Sequence, residues 1–184
     1  MTEDFMIFTI TFDATGNPEG FSQYSDAESM PDPLPEGEVL CTAEQCANWQ
    51  SYVLNENQIV AAPDATLVAV ARVVQIAKLK SACASAIVSG FSSTALGTSH
   101  SYPSALTDQA NQQTVAQAEG GGLLWCEAGG TWAFSNHTQA QAQQVVSDFA
   151  KWLNACQSKL STLSNNIAQA TTVAAVKGAA WTNP

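Results

Sequence analysis

The sequence predicts an α+β protein, a small β-rich N-terminal unit followed by a helical unit with a long helix and inserted β-hairpins. Three observations predict it. In MIFTITF, Met6, Phe8, Ile10 and Phe12 alternate with Ile7, Thr9 and Thr11, the period of two of a strand. In residues 138–170 the apolar positions recur at alternating spacings of three and four, the period of a helix. Between these segments stand clusters of turn formers, and Pro63–Asp64 marks a boundary. The units are accordingly 1–62, acidic and β-rich, and 64–184, helical.

The first strand meets DATGNPEG, a run of turn residues, and should fold back as a hairpin into FSQYSD. SMPDPLPEG has three prolines in nine residues and is read as an extended loop. Thr42 can cap a short helix over AEQCANWQSYV, and NQIVAAP is a last extended piece. Asp64 is a suitable N-cap for a helix over about 65–89. That helix has two apolar stripes. Leu67, Val70, Val74, Ala77, Ala84 and Val88 form one; Val73, Ile76, Cys83 and Ile87 form the other. A helix apolar on two sides is expected between two neighbours.

Gly90 ends that helix. FSSTALGTSHSYPS reads as extended, and a short amphipathic helix follows from about Asp108 to Ala118, with Asp108 as its N-cap. Two aromatic runs around Gly129–Gly130 read as a second hairpin. Thr138 with Gln141 matches a capping box and opens the longest helix, roughly 50 Å at ~1.5 Å per residue. Its seam is Val146, Phe149, Leu153, Cys156, Leu160, Leu163 and Ile167. That heptad seam can pack on helix 65–89 within one chain or on its own copies in an oligomer. A terminal helix, TVAAVKGAAW, would pack back through Val173, Val176 and Trp181.

Composition restricts the function classes. At 184 residues the chain can bury a substantial core. Charged residues are only 12%, about half the usual share of roughly 25%. Residues 1–64 hold 12 Asp/Glu and no Lys or Arg, so they carry −12; residues 65–184 hold 6 Lys/Arg and 4 Asp/Glu, so they carry +2. Six scattered cations speak against nucleic acid, and an anionic membrane surface would repel the acidic part. That part is a solvated acidic surface or a docking face for a basic partner. No segment reaches the ~18–20 apolar residues of a membrane span. The N-terminus lacks the basic start of a secretory signal, so synthesis in a cytosol is expected. Five cysteines form no CxxC pair, and Cys41, Cys46, His100 and His137 lack zinc-site spacing, so neither metal nor cofactor is expected.

Ser99, His100 and Asp108 invite a catalytic reading. Neighbours in an extended segment point to opposite faces, which disfavours a Ser99–His100 pair. There is no GxSxG elbow, and GGG at 120–122 has neither phosphate-loop nor dinucleotide spacing. The expectation is a protein without enzymatic activity. His100 and His137 are read as hydrogen-bonded linchpins of hairpin edges.

Over residues 75–181, KLKSACASAIVSGFSSTALGTSHSYPSALTDQAN is followed by LLWCEAGGTWAFSNHTQAQAQQVVSDF, the long helix and TTVAAVKGAAW. This ordered set resembles an uncharacterised domain family common in tail-fibre and tail-associated proteins of tailed bacteriophages and prophages. The likeness rests on Phe91, Ala95–Leu96–Gly97, His100–Tyr102, Asp108–Gln109–Asn111, Trp132 and His137–Thr138. It implies a structural virion component at the baseplate or tail fibre, made in the bacterial cytoplasm and contributing to fibre attachment or host adsorption. Its partners would be other tail, fibre and baseplate proteins, and a homo-oligomer, a trimer by preference, is expected. The alternative is a tail-fibre assembly chaperone absent from the mature virion. The resemblance supplies no catalytic residue. On it, His100, Tyr102 and Asp108 tie an extended arm to the helices.

Overall fold

Alternation builds the first element, as the sequence predicts. The computed structural model describes residues 6–184. Glu3, Asp4 and the rest of the N-terminal start, on which part of the charge and signal readings fall, lie outside the described residues. The fold is mixed α and β. The chain divides into two compact units, parting between Val70 and Ala71. That division falls inside a helix, whereas the turn-rich Pro63 lies just before the helix begins.

In the first unit, strands β1 (Ile7–Phe12), β2 (Pro18–Tyr24) and β3 (Glu38–Cys41) form an antiparallel sheet in the order β2-β1-β3. Ile10 and Phe12 are buried. Thr9, on the other face, is buried as well, and its hydroxyl and that of Tyr24 both donate to the Glu38 carboxylate. The β1–β2 turn is organised by Asp13, whose carboxylate accepts from the Thr15 amide at 2.8 Å, the Thr15 hydroxyl at 2.7 Å and the Asn17 amide at 2.9 Å.

The helix expected over residues 43–53 is shorter. Thr42 and Gln45 do form a capping box, but α1 covers only Ala43–Ala47. One 3₁₀ turn, Trp49–Ser51, leads into β4 (Tyr52–Asn55). Tyr52 and Val53 pair with Ala61 and Val60 of β5 (Gln58–Ala61) and so belong to a hairpin. Its two turn residues, Glu56 and Asn57, both have positive φ, 48° and 65°.

α2 (Asp64–Val88) begins one residue earlier than expected. Asp64 lies in its first turn, and the Pro63 carbonyl accepts from the Thr66 and Leu67 amides. The second departure concerns its faces. Leu79, Cys83 and Ala86 are buried, with Ile76 and Ile87 half-buried beside them. The other stripe is not between neighbours: Leu67 is half-buried, but Val70, Val74, Ala77, Ala84 and Val88 are exposed, and Val73, expected on the covered stripe, is 72% exposed.

The second unit contains a four-stranded antiparallel sheet in chain order: β6 (Phe91–Ser93), β7 (His100–Tyr102), β8 (Gly122–Ala128) and β9 (Thr131–His137). The expected hairpin is β8–β9, and the extended arm before it supplies the other two strands. Gly121, at φ 68°, enters β8 so close to the chain that a Cβ would lie 2.0 Å from the His137 carbonyl oxygen. The inner sheet face, with Phe91, Tyr102, Leu124 and Cys126, packs on Ala116 of α3 (Leu106–Gln117) and on Ala142 and Val145 of α4 (Gln139–Gln169).

Thr138 and Gln141 form the capping box that starts α4. The seam of α4 is covered within the chain, the intramolecular alternative. Val146 and Phe149 pack on the sheet core, Cys156 and Leu160 on Cys83 and Ala86 of α2, and Ile167 is buried; Leu153 and Leu163 are half-buried. An uncovered α4 seam therefore gives no reason for self-assembly. On either side of α5 (Val173–Gly178) the chain is held against α2: Arg72 donates to the Ala170 carbonyl before it at 2.8 Å and Gln75 to the Ala179 carbonyl after it at 2.7 Å. Cys46, Cys83, Cys126 and Cys156 are buried free thiols, and Cys41 is half-buried. Among the described residues no helix is long and apolar enough to cross a membrane.

Candidate binding cleft

The four-stranded sheet leaves its outer face to solvent. Directly opposed residues of antiparallel strands share a face, and the register joins Ser92 to Ser101, Ser101 to Glu127, and Glu127 to Trp132. A row of two hydroxyls, a carboxylate and an indole thus crosses all four strands. The next pair along β8 and β9 is Trp125 with Phe134. The three rings touch. Trp125 and Trp132 have centroids 6.3 Å apart with planes 16° from parallel, and Trp125 meets Phe134 edge-on at 4.8 Å. They remain 41% (Trp125), 44% (Trp132) and 65% (Phe134) exposed.

At the β6 edge this face opens into a cleft of about 850 Å³. The turn and strand segments around β6 and β7 give it serine hydroxyls, β9 gives Trp132, α4 gives Asp148, Lys151 and Trp152, and the chain end gives Asn183. Asp148 Oδ2 accepts from the Ser93 hydroxyl at 2.7 Å, and its Oδ1 accepts from the exposed Lys151 ammonium at 2.8 Å. Burial works to raise the Asp148 carboxyl; the Lys151 and Ser93 hydrogen bonds outweigh it, and the group titrates below its ordinary value. The Trp152 indole donates to the Ala86 carbonyl at 3.2 Å, which locks its ring in the wall.

Asp108 is not an N-cap. α3 starts at Leu106 with Ala105 in the cap position, and Asp108 lies in the first turn. It lines a smaller groove of about 340 Å³ together with Asn111, Trp125 and Phe134. His100 bonds only within its own turn, Nδ1 lying 2.9 Å from the Thr98 carbonyl. Among the described residues no hydrogen bond joins Ser99, His100 and Asp108. Tyr102 and His137 are brought together instead. The Tyr102 hydroxyl lies 2.8 Å from His137 Nε2, and His137 Nδ1 lies 2.9 Å from the Ser135 carbonyl. A carbonyl only accepts, so Nδ1 donates to it and Nε2 accepts from Tyr102. Burial pushes the Tyr102 phenol well above its ordinary value.

Sequence reasoning singled out Trp132 but missed Trp125, Phe134, Asp148, Lys151 and Trp152. The alternation of Trp125 with buried Leu124 and Cys126 was the available signal, since it places the indole on the open face. Among the described residues no group of three or more His, Cys, Asp or Glu side chains could hold a metal ion.

Residues 70–181, more than half of the chain, match the family model described as a domain of unknown function (DUF4376). The match contains the sheet, the cleft apart from the chain end, and α4. No curated protein and no solved structure matches the chain.

Proposed function

We propose, from the premise that this chain belongs to the DUF4376 family, that it is a non-enzymatic structural component of a bacteriophage tail. Its place is the baseplate or tail fibre, where it contributes to fibre attachment or host adsorption. The ordered signature from Phe91 to Thr138, which resembles tail-associated domains, is the basis of the tail assignment. The observation that carries a binding and assembly role is the apolar surface left open in the second unit. Three adjoining aromatic rings stand on the sheet, and a valine stripe runs along α2. Surfaces of that kind belong to proteins that meet partners.

Other tail, fibre and baseplate proteins are the expected partners, with further copies of this chain among them. Self-association is assigned to the outer stripe of α2. Val74, Ala77, Ser81, Ala84 and Val88 follow spacings of three, four, three and four, the pattern of a two-faced helical seam, and Val73 widens it. A second α2 in register offers the matching length and spacing. A trimer is the preferred count, on the resemblance alone.

Mass spectrometry of purified particles tests the assignment. A fixed copy number per virion is the expected result. Presence in infected cells with absence from the particles would replace it with a fibre-assembly chaperone.

A further inference from the structure

We infer that the cleft between β6–β7 and α4, with the aromatic row beside it, is a binding site for a neutral oligosaccharide. The inference stands on the second unit alone and does not rest on the tail assignment.

The polar groups of the cleft define the ligand first. Ser92 and Ser101 bring hydroxyls, Asn183 a carboxamide, and Asp148 with Lys151 a carboxylate and an ammonium 2.8 Å apart. Donors and acceptors are therefore interleaved over a short distance, as a ring of adjacent hydroxyls requires. The Asp148 carboxylate is offset by the Lys151 ammonium, and the Glu127 carboxylate of the adjoining row accepts from the Gly130 amide, so among the described residues the site offers no unpaired cation to an anionic ligand.

The indoles define the rest. A single exposed ring is ordinary, but adjoining exposed rings make an apolar patch of the kind that marks a binding surface. Trp132 lies at the cleft rim and Trp125 follows it across the sheet with its plane nearly parallel. The face of an indole is electron-rich and attracts the weakly positive C–H hydrogens of an apolar face. A pyranose presents such a face together with hydroxyls at its edge. Its C–H side fits Trp132 while its hydroxyls reach the serines, Asp148 and Lys151. The cleft volume, about 850 Å³, accommodates more than one sugar ring, and the row through Trp125 extends the platform.

Two other occupants fit less well. A peptide strand would add to a sheet edge; the edge beside Asp148 is β6, only 3 residues long, and the 7-residue β9 edge lies three strands away from it. Stacked nucleotide bases would use the indoles, but the chain carries a net charge of −10 and the cleft has a single ammonium.

The experiment titrates the full chain with neutral hexasaccharides of glucose, galactose, mannose and N-acetylglucosamine, in α and β linkage, and with a sialylated glycan and an oligothymidylate. Calorimetry and tryptophan fluorescence are the readouts. At least one neutral hexasaccharide should bind and change the fluorescence. Trp132→Ala should weaken it by about tenfold with unchanged melting, and Asp148→Asn should weaken it too. Leu106→Ala, on the exposed face of α3, should change nothing. If Asp148→Asn fails to fold, Trp132→Ala alone decides. No binding of any neutral hexasaccharide at millimolar concentration overturns the inference. So does binding that survives Trp132→Ala, or binding confined to the oligothymidylate or the sialylated glycan. Particle mass spectrometry is blind to all of these results, so the two proposals fail separately.

Discussion

Tyr102 and His137 form the most deeply buried polar pair of the second unit, with Nε2 served by one donor, the tyrosine hydroxyl. Tyr102→Phe removes the donor and leaves that nitrogen desolvated without a partner. We expect a loss of about 1–3 kcal/mol, read as a lower denaturant midpoint at unchanged slope. An unchanged midpoint would show that the bond contributes nothing net. Asp13 gives a pH-dependent prediction in the first unit. Hydrogen bonds, first from the Thr15 hydroxyl and then from Asn17, lower its carboxyl from 3.8 to about 2. A depressed carboxyl contributes above its unfolded pKa, so the turn is fully held above about pH 3.8 and loosens as the pH falls towards 2. Because Asp13 is solvent-exposed, the effect is local. The amide resonances of Thr15 and Asn17 should titrate with a midpoint near 2, and a midpoint at the ordinary value would refute the arrangement.

Among the elements, α2 gives the sharpest test. Val74→Glu places a charge at the head of its outer stripe without entering the packed face. If α2 joins copies of the chain, wild type should scatter light as an oligomer at micromolar concentration and Val74→Glu as a monomer of 19.3 kDa that still melts cooperatively, its midpoint lower by the lost association alone. A monomeric wild type would end that proposal. The same helix marks the limit of reading elements from sequence. Two apolar stripes were visible, but periodicity cannot say which one a partner covers. β1 and α4 were legible because each has a sustained period, and α4 has a two-sided cap at Thr138–Gln141. β4–β5 was hidden by its turn. Glu56 in a left-handed conformation replaces the glycine or asparagine that normally announces such a hairpin. β6 and β7 are three residues each, too short to show any period, so only their extended character was readable.

At the scale of the whole molecule, the cleft was the part least available to sequence. Its walls come from the β6 arm, β7, β9, α4 and the chain end, and no local motif links Ser93, Trp132 and Asp148. Only packing brings them together. Cys83 and Cys156, by contrast, stood on apolar helix stripes in the sequence, and both are buried in the core. Their burial makes the protein a clock of its own opening. A thiol reagent reacts with thiolate, which a buried side chain cannot present until the surrounding structure opens. Cys46 lies in the first unit, and Cys83, Cys126 and Cys156 lie in the second. Cys41 should be labelled first, though slowly, because burial pushes its thiol up to about 11. Mass spectra taken over hours should then resolve one modification rate for Cys46 and another, shared, for the three thiols of the second unit. A spread of rates among those three would mean that the second unit opens piecemeal, and a common rate would measure the lifetime of its closed state without any added probe.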